Sequence, residues 1–150
     1  MNEAKTATAA VREFNRFYTK ILGLLDPRFL GSPYSLTEAR VLYELAHDAN
    51  CTAKAIRAAI GVDAGYLSRI LDSFIGAGLI EKMPSPHDGR SRVLRLTRAG
   101  EAAFARLDEA QEGSVEVLIS KLARREREEL VRHMRRIREL LDKVGHMKGG

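Results

Sequence analysis

The sequence predicts a mainly α-helical fold that carries one small β-hairpin. Apolar residues recur at helical spacing in six separate segments, and residues that cap helices stand before most of these segments. One stretch, residues 79–96, instead alternates apolar and polar side chains on either side of an Asp-Gly pair. With 150 residues and 45% hydrophobic content, the chain is long enough to bury a core. We expect one domain, residues 1–150.

The first two predicted helices lie in the N-terminal third of the chain. The first should end before Asp26-Pro27, and its apolar stripe has 3-4-3-4 spacing: Val11, Phe14, Tyr18, Ile21 and Leu25. Ser35 and Glu38 have capping-box spacing at the start of the second helix, although Thr37 is an equal candidate for the N-cap. The second helix should turn three residues toward a core: Val41, Leu42 and Leu45.

Two short helices follow, with only three residues between them. Thr52 is the N-cap of the first, and Gly61 ends it. Asp63 is the N-cap of the second, which should run to about Ala77 and close at Gly78. Two helices joined by so short a turn form a helix-turn-helix in outline.

The stretch that follows predicts the β-hairpin. "LIEKM" and "RVLRL" form its strands, and an eight-residue loop from Pro84 to Ser91 joins them through the turn pair Asp88-Gly89. Residues 54–98 hold eight Lys or Arg against four Asp or Glu, whereas residues 99–120 hold one against five. The helix-turn-helix and the hairpin therefore carry a local surplus of positive charge beside an acidic segment, and the net charge of +5 for the whole chain favours a polyanionic partner.

Two long helices complete the chain. Thr97 should cap the fifth helix, which has Phe104, Leu107 and Val117 as apolar landmarks. The sixth begins after Ser120, and its apolar residues have the 4-3-4-3 spacing of a helix that packs on another long helix. Its many arginines alternate with glutamates, which is typical of a solvated face.

Several classes of function find no support in the sequence. The single Cys51 excludes an intrachain disulfide framework and is expected to be a core residue rather than an oxidant sensor. The histidines lack metal-ligand spacing and no nucleophile motif is visible, so we expect no metal, no cofactor and no enzyme activity. No apolar run approaches the length of a membrane span and no signal peptide is visible. We expect a cytoplasmic protein with no membrane partner.

Three segments resemble the MarR family of winged helix-turn-helix regulators: "LTEARVLYELA" (36–46), "IGVDAGYLSRILDSFIGAGLIEK" (60–82) and "DGRSRVLRLTRAGEAAF" (88–104). The most specific of these features is the pair Asp88 and Arg90, followed by a strand that ends at Thr97 and then by Gly100. Arg57 departs from the motif, because it stands where a small residue usually lies at the crossing of the two helices. Either its stem extends along the surface, or the helices cross more loosely.

The resemblance implies a winged helix-turn-helix at about residues 35–98, flanked by dimerisation helices in residues 1–34 and 99–145. It further implies a homodimer held by the apolar stripes of the first and sixth helices, formed by Val11, Phe14, Tyr18, Leu130, Met134, Ile137, Leu141 and Val144. Members of the family often bind small aromatic effectors in a cleft. Four aromatic residues could line such a cleft, although core positions are expected for them: Phe17, Tyr18, Tyr43 and Phe104.

The fourth helix and the hairpin carry the residues that we expect to bind DNA. Arg69 can donate two hydrogen bonds to guanine from the N-terminal half of a helix in the major groove, while Arg90 at the hairpin tip suits a narrow minor groove. The helix N-terminus also favours phosphate. The complete set of expected DNA contacts is Thr52, Lys54, Ala64, Gly65, Tyr66, Ser68, Arg69, Ser73, His87, Asp88, Arg90 and Arg92.

The predicted function is that of a sequence-specific DNA-binding transcriptional regulator. We expect a homodimeric repressor that binds a pseudo-palindromic operator in double-stranded DNA and is relieved by a small effector. Two alternatives remain open. One is a winged-helix module that binds proteins. The other is the regulatory part of a GNAT-type acetyltransferase, since "GSPYSLTEARVLYELA" is similar to the regulator half of MarR–GNAT fusions.

Overall fold

The computed structural model describes residues 3–87, 89, 90 and 92–146. Its α-helices are α1 (Glu3–Ile21), α2 (Leu36–His47), α3 (Ala53–Ile60), α4 (Ala64–Gly76), α5 (Arg98–Ile119) and α6 (Arg124–His146). Two strands, β1 (Ile80–Pro84) and β2 (Arg92–Leu96), form an antiparallel hairpin between α4 and α5. The mainly α-helical fold with one small hairpin is confirmed.

The chain divides into two compact units, Met1–Gln111 and Glu112–Gly150. The first holds α1 to α4, the hairpin and the first part of α5, and the second holds the end of α5 and α6. The single domain expected for residues 1–150 stays a prediction. Over the described ranges, no helix combines the length and the apolar content that crossing a bilayer requires.

The start of α2 is defined by a capping box. The Ser35 hydroxyl accepts a hydrogen bond from the Glu38 N–H at 3.2 Å, and the Glu38 carboxylate accepts one from the Ser35 N–H at 3.0 Å. Two N–H groups that the helix itself leaves without partners are thereby satisfied. The N-cap is Ser35 and not Thr37.

The end of α1 differs from the prediction. The helix stops at Ile21, because Gly23 adopts a left-handed conformation (φ 67°) and the Leu24 N–H turns back to the Thr19 carbonyl at 3.1 Å. Leu25, which we expected on the helical stripe, lies outside the helix and is 79% exposed. The apolar spacing continued past a glycine that closes the helix.

The hydrophobic core of the first unit lies between α2, α3, α4, the hairpin and α5. Phe74 of α4 is 2% exposed and meets the Tyr34 ring edge-on at 6.0 Å between centroids. Val41, Leu42 and Leu45 are buried as predicted. The other members of the cluster are Ala39, Cys51, Ile56, Leu67, Ile70, Leu71, Ile80, Leu94 and Leu107. Burying each large apolar side chain contributes about 1.5–3 kcal/mol, so this cluster holds the helix-turn-helix in place.

The hairpin is anchored to this core at its base. Ile80 pairs with Leu96 and Pro84 with Arg92, so Pro84 is the last residue of β1 and not the first of the loop, which spans residues 85–91. A proline is compatible with the end of an edge strand, where no ladder N–H is needed. The buried Leu94 donates its N–H to the Cys51 carbonyl at 2.8 Å. This hydrogen bond ties the hairpin to the residue that precedes the N-cap of α3.

In the second unit, an arginine closes the turn between α5 and α6. The Arg127 guanidinium donates hydrogen bonds to the carbonyls of Ile119, Ser120 and Leu122 at 3.0–3.2 Å. Ile119 is the last residue of α5, and its carbonyl also accepts the Leu122 N–H at 3.0 Å, whereas Ser120 and Leu122 follow the helix. Arg127 is therefore a C-capping residue, a role that its place in an arginine-rich run did not indicate.

Candidate nucleic-acid interface

Helix α4 separates cleanly into a buried and an exposed face. Leu67, Ile70, Leu71 and Phe74 are each at most 5% exposed, whereas the residues between them face outward. All six α4 residues predicted to contact DNA are exposed: Ala64, Gly65, Tyr66, Ser68, Arg69 and Ser73. The helical period in the sequence was sufficient to predict this division.

Arg69 has a neighbour that the sequence did not reveal. Its guanidinium carbon lies 6.0 Å from the centre of the Tyr66 ring, at the outer limit of a cation–π contact. Both residues stand on the exposed face of α4. A guanidinium at the protein surface has N–H groups that can donate to an acceptor outside the protein.

The two helices of the helix-turn-helix differ in how their N-termini would receive an anion. At α4 the Asp63 carboxylate accepts the Tyr66 N–H at 3.0 Å, so a negative charge already stands where we expected phosphate to bind. At α3 the cap is the neutral Thr52, whose hydroxyl accepts the Ala55 N–H at 3.1 Å, and the exposed Lys54 lies in the first turn. The N-terminus of α3 is the better anion site of the two.

The hairpin directs its basic residues to the surface. His87, Arg90 and Arg92 are exposed, and the His87 N–H is held by the Ser85 hydroxyl at 3.3 Å. Asp88, also predicted to contact DNA, lies outside the described residues. The hairpin therefore exposes three of its predicted DNA contacts, and one of them, Arg92, lines a groove together with residues of α4.

Between α3, α4 and the hairpin lies a groove of about 460 Å³ that sequence reasoning missed. We call it the basic groove and define it by six of its lining residues: Lys54, Arg57, Ser68, Asp72, Lys82 and Arg92. Arg57 is exposed, so its stem extends outward at the helix crossing, one of the two possibilities that the sequence left open. Lys82 was missed because its place beside the groove depends on the pairing of the two strands, in which it stands opposite Leu94.

The side chains expected at a dimer interface are largely uncovered. On α1, Val11 is 58% and Phe14 45% exposed, and on α6 Leu141 is 64% exposed. Tyr18 and Leu130 are half-buried. The remaining three are exposed to 39–54%: Met134, Ile137 and Val144. Large apolar side chains in contiguous stripes on a single chain are typical of surfaces that bind another protein.

The four aromatic residues considered for an effector cleft do not all come together. Tyr43 and Phe104 meet edge-on at 6.2 Å and form part of the wall of a cavity of about 270 Å³ between α2 and α5. Among the described ring contacts, Tyr18 stacks instead on Phe14 at 5.4 Å. The expectation of core positions was wrong for Phe17 and Tyr43, which are 59% and 40% exposed.

The chemistry of Cys51 is that of a buried thiol. Its side chain is 2% exposed, and burial, with the nearby Asp48 and Glu44 carboxylates, raises the pKa of the thiol from 9.0 to about 11. Within residues 3–87, 89, 90 and 92–146, the structure shows no group of three or more His, Cys, Asp or Glu side chains that could hold a metal ion.

A helix-turn-helix whose second helix exposes a polar face, followed by a basic two-stranded hairpin, defines the winged helix-turn-helix class. Residues 32–91 match the model of the MarR family. Over 73 residues the chain is 34% identical to the multiple antibiotic resistance protein MarR of Escherichia coli, a match that covers 47% of this chain and 51% of that protein. Over these residues, which hold the helix-turn-helix and the first strand of the hairpin, the chain is similar to the MarR family.

Solved structures extend the likeness of the fold to nearly the whole chain. The MarR family transcription regulator SP03579 superposes with a TM-score of 0.72 at 23% identity, covering 95% of this chain and 93% of that one. Bordetella bronchiseptica BpsR, whose DNA binding is regulated by 6-hydroxynicotinic acid, superposes with a TM-score of 0.66 at 18% identity, covering 86% and 98%. The chain spans about half the length of the curated relatives it matches.

Proposed function

We propose that this chain is a sequence-specific DNA-binding transcriptional regulator, with α4 in the major groove and the hairpin over the adjacent minor groove. The observation that carries the proposal is the exposed face of α4, with Arg69 at its centre, beside a hairpin whose Arg90 and Arg92 are exposed. Arg69 has the geometry to donate two hydrogen bonds to guanine O6 and N7, and the hairpin arginines suit the negative potential of a narrow minor groove.

The protein acts as a homodimer through the apolar stripes of α1 and α6. Support comes from the exposure of Val11, Phe14, Ile137 and Leu141, which leaves large apolar surfaces uncovered in a single chain. A two-fold dimer places two copies of α4 at a fixed separation, so the operator is a pseudo-palindrome with half-sites about one helical turn, or a multiple of it, apart. We propose repression as the mode, because a dimer seated on an operator excludes polymerase by occupancy alone.

A small aromatic compound relieves this repression by binding in the cavity between α2 and α5. Its wall combines the rings of Tyr43 and Phe104 with polar side chains that can orient a ligand, among them Arg40 and Gln111. The volume of about 270 Å³ suits a compound with a single ring. Regulation of BpsR by 6-hydroxynicotinic acid provides a precedent in a protein of the same fold.

The decisive experiment is selection of bound sequences from a pool of random duplexes. Enrichment of a pseudo-palindrome with a fixed half-site spacing would support DNA binding, dimer symmetry and α4 readout together. Recovery of unselected DNA at every salt concentration would refute the proposal and favour a winged-helix module that binds proteins.

A further inference from the structure

The basic groove brings together charges from three elements that are separate in the sequence. Lys54 and Arg57 come from α3, and Lys82 and Arg92 from the hairpin, whereas Asp72 is the one carboxylate among the described residues that line it. All five side chains are exposed. Among the described residues, no ion pair joins Asp72 to any of the four cations. The groove consequently has a surplus of positive charge.

The register of the hairpin explains why its two cations point into the groove. Lys82 pairs with Leu94, and Arg92 pairs with Pro84 two residues further along the ladder. Residues that face each other across a ladder, and those two positions away, share one side of a sheet. Lys82 and Arg92 therefore flank Leu94 on the side that faces α3 and α4, where Leu94 is 2% exposed and forms part of the floor.

Two further features favour an anion in the groove. Ala53 and Lys54, which belong to the first turn of α3, line it, and the cap of that helix is the uncharged Thr52. The floor is apolar, since Leu67 and Leu94 are at most 2% exposed. Low dielectric beside a charge strengthens its attraction to an ion of opposite sign.

We propose that the basic groove seats a phosphate group of the DNA backbone, and that Arg57 and Lys82 are its anchors. The inference rests on the proposed function, because the groove lies between the two elements assigned to reading DNA. Ser68 belongs both to the exposed face of α4 and to the groove, and Arg92 belongs both to the hairpin and to the groove. A strand that passes from one element to the other crosses the groove. Asp72 opposes the phosphate and keeps nonspecific affinity low.

The test compares Arg57→Gln and Lys82→Gln with wild type on the selected operator and on a shuffled duplex, over a range of salt concentrations. Each dimer loses two phosphate contacts per substitution, so the salt slope should fall by about 2 and affinity for both duplexes by at least about tenfold near 0.1 M salt. The selected sequence should stay unchanged. Asp72→Asn should have the opposite effect and raise affinity for both duplexes.

Arg106→Gln is the matched control, because Arg106 is an exposed arginine of α5 outside the groove lining. Melting temperatures should be equal for all variants, since each substitution is at an exposed side chain. If wild type binds no duplex, the proposed function itself fails. If wild type binds the operator but Arg57→Gln and Lys82→Gln behave like Arg106→Gln, the inference alone is overturned. Calorimetric binding of inorganic phosphate that Arg57→Gln abolishes, with DNA binding unchanged, would overturn it in favour of a free anion.

Discussion

Gly100 of α5 packs directly against the main-chain carbonyl of Leu79. A Cβ atom on residue 100 would overlap the Leu79 oxygen and stand 3.0 Å from the Leu96 Cδ2 atom. The oxygen is not free to move, because it accepts the Thr97 N–H at 2.9 Å. Space, rather than backbone conformation, requires glycine here, where the end of α4, the base of the hairpin and the start of α5 meet.

Gly100→Ala should destabilise the fold by about 1–3 kcal/mol, because the added methyl group has to displace backbone at a packed junction. Urea unfolding at constant pH measures the change. Gly76→Ala is the control, since residue 76 is also helical but a Cβ atom added there would meet no atom within 4 Å. That control should be neutral or stabilising by up to about 1 kcal/mol. A Gly100→Ala protein as stable as wild type would show that the junction is looser than described.

Arg69 and Arg90 should contribute to DNA binding in different ways. Arg69→Ala should cost about 1–3 kcal/mol and relax the preference at one position in each half-site, because a bidentate contact to guanine is lost. Arg90→Ala should weaken binding mainly through the flanks, more so where they are A·T-rich, and should flatten the salt dependence by a slope of about 2 per dimer.

The measurement is a salt titration on one operator with either A·T-rich or G·C-rich flanks, with Arg106→Ala as the control for loss of an exposed arginine. Both side chains are exposed, so the variants should melt at the wild-type temperature. Unchanged affinity, flank preference and salt slope in Arg90→Ala would remove the hairpin from the DNA interface.

The apolar stripe of α6 should hold the dimer together. Ile137 and Leu141 are 43% and 64% exposed in the single chain, and replacing both with Glu would place two carboxylates in an apolar interface. We expect a monomer in sedimentation velocity and loss of operator binding. Arg132→Glu changes charge at an exposed position outside this stripe and should stay dimeric. A dimeric Ile137→Glu/Leu141→Glu protein would exclude this stripe from the interface.

Cys51 should react slowly with thiol reagents. The pKa of the thiol is raised from 9.0 to about 11. Between these two pH values the folded protein therefore keeps the thiol proton, whereas an unfolded chain loses it. The stability that the protonated Cys51 thiol contributes is complete below about pH 9, and it is lost as the pH rises toward 11. Alkylation by iodoacetamide should accelerate with pH and reach no plateau below pH 10, and Cys51→Ala should incorporate no label. A plateau near neutral pH would instead indicate a reactive thiolate.

Most helix starts were predictable, because a cap is a contact between neighbours in the chain. Ser35, Thr52 and Asp63 each accept a backbone N–H three residues ahead, and Thr97 accepts that of Gly100. Helix ends were less reliable. The apolar stripe of α1 continues to Leu25 in the sequence, but the helix ends at Ile21, just before the left-handed Gly23.

The exposed face of α4 and the basic hairpin were determined by the sequence alone, because helical period, strand alternation and turn residues act over a few neighbouring positions. Only the tertiary structure decided that Arg57 and Lys82 share a groove and that Gly100 has no room for a side chain. Those relationships join residues on different elements. Their distances depend on how the buried faces of α3, α4 and the hairpin pack around one core, and no local pattern encodes that packing.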